Sequence, residues 1–148
     1  MGEAGAQAMS DDPAEEYLGD AKVLDRLAGV PVHEVMRSPA VVFVGAEHMS
    51  LRDAAGRRRF IYVIERDGRL VGWLDTNELQ PGQTAHDLTT HADPGTASVM
   101  PDDTLDVALD RMRSLGSQSV SVIDDRHRLI GEVTMMTIED AAAVEEPT

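Results

Sequence analysis

The chain contains no cysteine, which removes disulfides, thiolate nucleophiles and cysteine-held zinc from consideration. Lysine is almost as scarce, Lys22 being the only one. Aromatic residues make up 3% of the chain, so any core is built from Val, Leu, Ile, Met and Ala rather than around rings. No apolar run reaches the roughly 18 residues needed to cross a bilayer. Met1 to Ser10 lacks the basic start and apolar middle of a secretory signal, which sets the expectation of a cytoplasmic protein without membrane insertion. Positive charge is also short: 13 Lys+Arg stand against 27 Asp+Glu, a net charge of -14. Such a field repels nucleic acid and anionic lipid, so no nucleic-acid partner is expected. The 148 residues suit one ordinary domain or two small ones sharing a core.

What the chain does have is a repeat. Residues 1–29 form an acidic start and lead-in, with residues 1–12 expected to be disordered. From Pro13 the residues Tyr17, Leu18, Val23, Leu24 and Leu27 recur at near-helical spacing until Ala28-Gly29 stops the run. Beyond it, Val32-His33-Glu34-Val35-Met36 is echoed by Ala85-His86-Asp87-Leu88, and short extended segments follow at Ala40 to Val44 and Thr96 to Val99. Helix starts come next, Ser50-Leu51-Arg52-Asp53 against Thr104-Leu105-Asp106-Val107, with Ser50 and Thr104 as natural N-caps. Leu105, Ala108, Leu109 and Met112 make an i, i+3, i+4, i+7 stripe that predicts one buried helix face.

Paired strands are expected at Phe60 to Glu65 with Leu70 to Leu74, and at Ser119 to Asp124 with Leu129 to Val133. Asp67-Gly68 suits a tight primed turn, whereas Asp125-Arg126-His127 reads as a looser connection. Each hairpin leads into a helix start, at Asp75-Thr76-Asn77-Glu78 and at Thr134-Met135-Met136-Thr137. The domain reading is a lead-in over 1–29, one repeat over 30–80 with a shortened helix, a second over 84–142 and an acidic tail over 143–148.

This layout resembles a tandem pair of CBS domains, a Bateman module, over about Val30 to Ala142. The marks are Val32 to Met36, the strand, Asp-Gly turn and Leu-Val-Gly strand within Ile61 to Leu74, and Val120 to Asp124 followed by Leu129 to Thr134. The resemblance implies an α+β fold in which two β-α-β-β-α repeats form a pseudo-twofold module, and a disk-like homodimer as its assembly. The lead-in Tyr17 to Leu27 and the phrase Gly72-Trp73-Leu74-Asp75 are similar to the region after the nucleotide-binding domain in ATP-binding subunits of glycine betaine/proline (quaternary amine) ABC transporters. A transporter ATPase or permease is the partner this implies. No Gly-x-x-x-x-Gly-Lys-Ser/Thr loop is present, so what the chain resembles is the regulatory tail, either cut out of a larger subunit or encoded alone.

In nucleotide-binding CBS pairs the resemblance implies a Gly-h-h-Thr/Ser-x-x-Asp stretch, its hydroxyl and helix-start amides receiving phosphate and its Asp receiving ribose. The second copy keeps Thr134 and puts Thr137 at the ribose position; the first copy offers Glu78 as the ribose acceptor but has Asp75 at the phosphate position. Two like charges about 4 Å apart repel by roughly 1 to 4 kcal/mol near a surface, so Asp75 opposes phosphate. AMP, ATP or cyclic di-AMP are the implied ligands. The alternative is a structural dimerisation module with Asp75 and Thr134 as plain N-caps.

Arg57-Arg58-Arg59 is the densest positive charge, placed near the end of the helix begun at Leu51. It reads as a solvated helix end or as an anion- and ionic-strength-responsive patch opposed by Glu139, Asp140, Glu145 and Glu146. His33, His48, His86, His91 and His127 form no ligand-spaced cluster, so no metal is expected. With no nucleophile elbow or triad spacing, the chain is not expected to be an enzyme.

Overall fold

The computed structural model describes residues 20–45, 52, 53, 56, 58–78, 80–91 and 93–143. The expected disorder of 1–12, the lead-in before Asp20, the cap at Ser50, His48, Arg57 and the acids Glu145 and Glu146 lie outside these residues. The lead-in appears as α1 (Ala21–Leu27), whose N-cap Asp20 accepts from the Lys22 amide at 2.8 Å. The first sheet contains β1 (Val41–Phe43), β2 (Phe60–Ile64), β3 (Leu70–Asp75) and β4 (Thr90–His91) in that order. Short helices α2 (Ala85–Leu88) and α3 (Pro94–Ala97) flank β4. The second sheet is β5 (Ser98–Val99), β6 (Ser119–Ile123) and β7 (Leu129–Thr134), with α4 (Leu105–Leu115) between β5 and β6 and α5 (Met135–Ala142) after β7.

The two sheets are built to one plan. In the first hairpin Ile61 faces Leu74, Val63 faces Gly72 and a bulge lets Ile64 face Leu70; in the second Val120 faces Val133, Val122 faces Gly131 and a bulge lets Ile123 face Leu129. Each second-copy residue is 59 positions beyond its counterpart, as 122 - 63 and 131 - 72 show. The first strand of each copy adds in parallel, β1 to β2 and β5 to β6. The α4 stripe falls on the core as its spacing demands, with Leu105, Ala108, Leu109 and Met112 all at 0% exposure.

The turns also match, which corrects the contrast read from the sequence. Gly68 donates its N–H to Glu65 O at 2.8 Å, and His127 to Asp124 O at 3.0 Å. The left-handed residue is single in each case, Gly68 at φ 92° and His127 at φ 63°. A primed two-residue turn needs Asp67 at positive φ as well, and Asp67 is not there. The tips then pair with each other, Leu70 N–H donating to His127 O and Leu129 N–H to Gly68 O, both at 2.9 Å.

One difference concerns the end of the first copy, where the helix start at Asp75 becomes a single 3-10 turn, Thr76–Glu78. Pro81-Gly82 lies close behind and the segment offers no apolar stripe, so nothing sustains a longer helix. The equivalent segment of the second copy, with Ile138 and Ala142 buried, continues as α5.

Each copy closes the other's sheet. The outer partner of β3 is β4, which belongs to the lead of the second copy (Gly72 facing His91, Trp73 facing Thr90), while Arg37 of the first lead pairs with Glu132 on β7. Val23, Leu27 and Val32 accordingly belong to the core around α4 and α5, and Ala85 to the core of Val42, Ile61, Val63 and Leu74. A third cluster, Tyr62, Leu70 and Ile123 with Trp73 and Leu129 against it, joins the copies.

The crossing explains the matched glycines. A Cβ at Gly72 lies 1.9 Å from the Thr90 carbonyl oxygen, and one at Gly131 lies 2.8 Å from the Met36 sulfur. Backbone cannot retreat as a thioether can. Gly72→Ala is expected to cost about 3 kcal/mol and Gly131→Ala about 1 kcal/mol, an order that urea denaturation of the two variants checks.

Candidate functional site

The hairpins face each other across a groove where the first residues of β2 and β6 meet. It opens on two adjoining hollows, of about 400 Å³ and about 430 Å³, each within the size range of small-molecule sites. Arg59, Phe60, Gln118 and Ser119 line both, so the hollows are continuous. The symmetry that aligns the strands does not extend to the side chains. Trp73 faces the first hollow together with Tyr62, which with Phe60 collects three aromatic rings of a chain that has five. Its counterpart in the second copy is Glu132, which lines the second hollow with Arg37, Arg58, Thr134, Met135 and Met136.

In the second hollow Thr134 is the N-cap of α5, where it accepts from the Thr137 amide at 3.2 Å and lies 3.0 Å from the Thr137 hydroxyl. A helix start carries unpaired amides and the positive end of the dipole, which suits an anion. Arg58 reaches over from the first copy and donates to Glu132, a buried carboxylate. The Tyr62 and Ser119 hydroxyls share a hydrogen bond of 3.2 Å. Burial pushes the Tyr62 phenol well above its ordinary value, and the Glu132 charge adds to the shift, so Tyr62 stays a neutral hydroxyl at all physiological pH.

Arg59 turns instead to Asp75, donating from Nε at 3.2 Å and from Nη2 at 3.0 Å to Oδ2, while its guanidinium lies 5.0 Å from the Phe60 ring centre. Asp75 also accepts from the Asn77 amide at 2.9 Å. The Arg59 hydrogen bond, followed by the Asn77 amide, holds the Asp75 carboxyl below its usual range.

The structure therefore brings Thr134, Arg58 and Arg59 to one groove and ties Asp75 to it through Arg59. Thr137 sits behind Thr134, bonded to it, and does not line either hollow; Glu78 is exposed on its 3-10 turn, outside both. Among the described residues the acids that meet Arg58 and Arg59 are Glu132 and Asp75; of the tail expected to oppose them, Glu139 and Asp140 stand exposed on α5 and Glu145 and Glu146 lie outside these residues. His33 and His86 are both exposed at matching lead positions, and among the described residues no group of three His, Asp or Glu is placed to hold a metal. No described helix is long and apolar enough to cross a membrane. Arg37, Glu132, Tyr62, Trp73 and Ser119 are groove residues that the sequence did not single out. A signal for Glu132 existed: it is a charge inside the run Leu129-Ile130-Gly131-Glu132-Val133, where the first copy has Trp73.

The sequence model of the CBS domain family matches residues 88–143. No curated protein matches the chain in sequence. Among solved structures, the CBS domain of the bacterial CNNM/CorC family Mg²⁺ transporter in complex with ATP is similar at TM-score 0.67 and 19% identity, over 88% of this chain and 97% of that one. A CBS domain pair/ACT domain protein from Thermotoga maritima is similar at TM-score 0.66 and 18% identity, over 76% and 95%. Staphylococcus aureus OpuCA is similar at TM-score 0.60 and 21% identity, over 72% and 94%. The chain has the α+β fold of CBS domain pairs, and CBS domains are in general regulatory, non-catalytic modules.

The Arg59–Asp75 pair gives a titration to test. A carboxyl whose folded-state pKa is lowered contributes stability above its ordinary value and loses it as pH falls through the lowered one. The Asp75 side chain should titrate below the ordinary 3.8 in carbon-detected NMR, and Arg59→Gln should move its midpoint upward. An unchanged midpoint would mean that Arg59 does not hold Asp75 in solution.

Proposed function

We propose that the chain is a non-catalytic regulatory module of two CBS repeats, over 30–80 and 84–142, whose inter-repeat groove senses an adenine nucleotide or dinucleotide. The observation that carries this reading is the second hollow, which the Thr134-capped start of α5, Arg58 and Arg59 line together. The adjoining hollow supplies Trp73, Tyr62 and Phe60 as faces for a planar base. AMP, ATP and cyclic di-AMP have this combination of base and phosphate. The lead-in and Gly72-Trp73-Leu74-Asp75 support attachment to an osmoprotectant (glycine betaine/proline) ABC transporter as the gated machine, and the likeness in fold to OpuCA is consistent with it. Sensing then works by differential affinity: ligand favours one arrangement of the two copies by no more than the difference in its binding to each.

A second reading, a structural homodimerisation module with no ligand, draws on the fact that the phosphate-seeking groups already have partners: Arg58 has Glu132, Arg59 has Asp75 and Thr134 has the Thr137 amide. An ionic-strength response is the form of sensing this reading leaves open, because the exposed Arg59–Asp75 pair weakens as salt shortens the screening length from about 10 Å at 0.1 M to 3 Å at 1 M.

Thermal unfolding with AMP, ATP and cyclic di-AMP separates the readings. A nucleotide present at 100 times its dissociation constant stabilises by about 2.7 kcal/mol, and replacing Thr134 by Val should reduce that gain beyond the loss of the cap itself. No shift with any of the three, in a protein that light scattering shows to be dimeric, would favour the structural module.

A further inference from the structure

Glu132 is the one charged side chain buried among the described residues, at 5% exposure. A carboxylate withdrawn from water is costly unless it is paired and hydrogen-bonded. Its partner Arg58 comes from the other copy, and the pair is lopsided: the Glu132 side chain is 6% exposed and that of Arg58 is 47%. The guanidinium is thus far more open to a solute than the carboxylate, although both border the second hollow. The position is also fixed from behind, because the Glu132 backbone exchanges two hydrogen bonds of 2.9 Å with Arg37 of the first lead. The backbone from which the carboxylate extends is therefore held by the contact that closes β7.

We infer that Glu132 sets the anion selectivity of this groove by competing for Arg58, so that the groove discriminates in favour of polyphosphates over a monophosphate. The inference rests on the reading of the groove as a nucleotide site. A guanidinium presents five donors in a planar fork, and the Glu132 carboxylate occupies one side of it. An arriving anion has to use the remaining side and share the cation with a fixed negative charge, which repels it across a few ångströms. A single phosphate bears that repulsion with Arg58 as its main support. A di- or triphosphate spreads its oxygens further, onto Arg59 and the Thr134 end of α5, and keeps most of its contacts away from the carboxylate.

Isothermal titration of the whole chain with ATP, AMP and inorganic phosphate tests this in wild type, Glu132→Gln and Glu132→Met. Two neutral replacements guard against one failing to fold, which circular dichroism reports. Wild type should bind ATP at least about tenfold more tightly than AMP. Freeing Arg58 should tighten AMP by roughly tenfold, the worth of one charge-assisted hydrogen bond, and narrow the ATP-to-AMP ratio. Arg58→Gln should weaken ATP, and combined with Glu132→Gln it should erase the gain. ATP binding with an unchanged ratio in both neutral variants overturns the inference and leaves the nucleotide reading in place. Absence of binding by any phosphate compound in wild type and variants alike overturns both.

Discussion

Everything in this molecule depends on the passage of each copy's lead segment across the other copy's hairpin. A hairpin of two strands is marginal in water and exposes unpaired backbone along both edges. Here one edge of each hairpin is covered by its own parallel strand and the other by a segment from its twin: Thr90-His91 beside β3, Arg37 beside β7. Neither sheet is complete without the other copy, so the two halves hold a fixed relation. Gly72 permits this at the tightest point, where any side chain meets the Thr90 carbonyl, and Gly131 does the same against Met36.

A fixed relation between copies is what allows a groove to exist. The shared register places the starts of β2 and β6 side by side, and the paired tips at Gly68 and His127 fix the opposite end. The Tyr62, Leu70 and Ile123 cluster fills the space between. The backbone is therefore close to symmetric while the groove is not, because the backbone ladder aligns the strands whichever side chains they carry. One substitution among them, Trp73 against Glu132, makes one hollow aromatic and the other charged.

How far the sequence disclosed this follows from which features are local. The α4 stripe, the hairpin strands and Thr134 as a cap are decided by neighbours within a few residues, and they are where the pattern put them; Gly72 and Gly131 stand out as matched positions, but Thr90 and Met36, which require them, are distant in sequence. The alikeness of the turns was hidden because His127 adopts the left-handed conformation that glycine signals openly at Gly68. The short end of the first copy was readable from Pro81 but competed with the repeat, which argued for a helix. The exchange of lead segments, and with it the meeting of Arg58 with Glu132, is a long-range consequence of topology that no spacing along the chain encodes.

The charge balance of the groove then has a definite meaning. In a chain of net charge -14 the field outside disfavours any anion, so a site for one has to gather cations locally. Guanidinium groups in such a chain attract its own carboxylates first, and Arg58 and Arg59 at the groove have done so. The two pairs differ in what opening them costs. Asp75 lies near the surface and is rehydrated when Arg59 leaves, whereas Glu132 is shut in by β7 and the Arg37 backbone and gains little water in exchange. An anion that draws on Arg59 meets a small opposing term, and one that draws on Arg58 meets a large one. A ligand whose charge rests on Arg58 alone therefore bears the full opposition of Glu132, whereas one whose oxygens also reach Arg59 and the Thr134 end of α5 bears less of it for each contact.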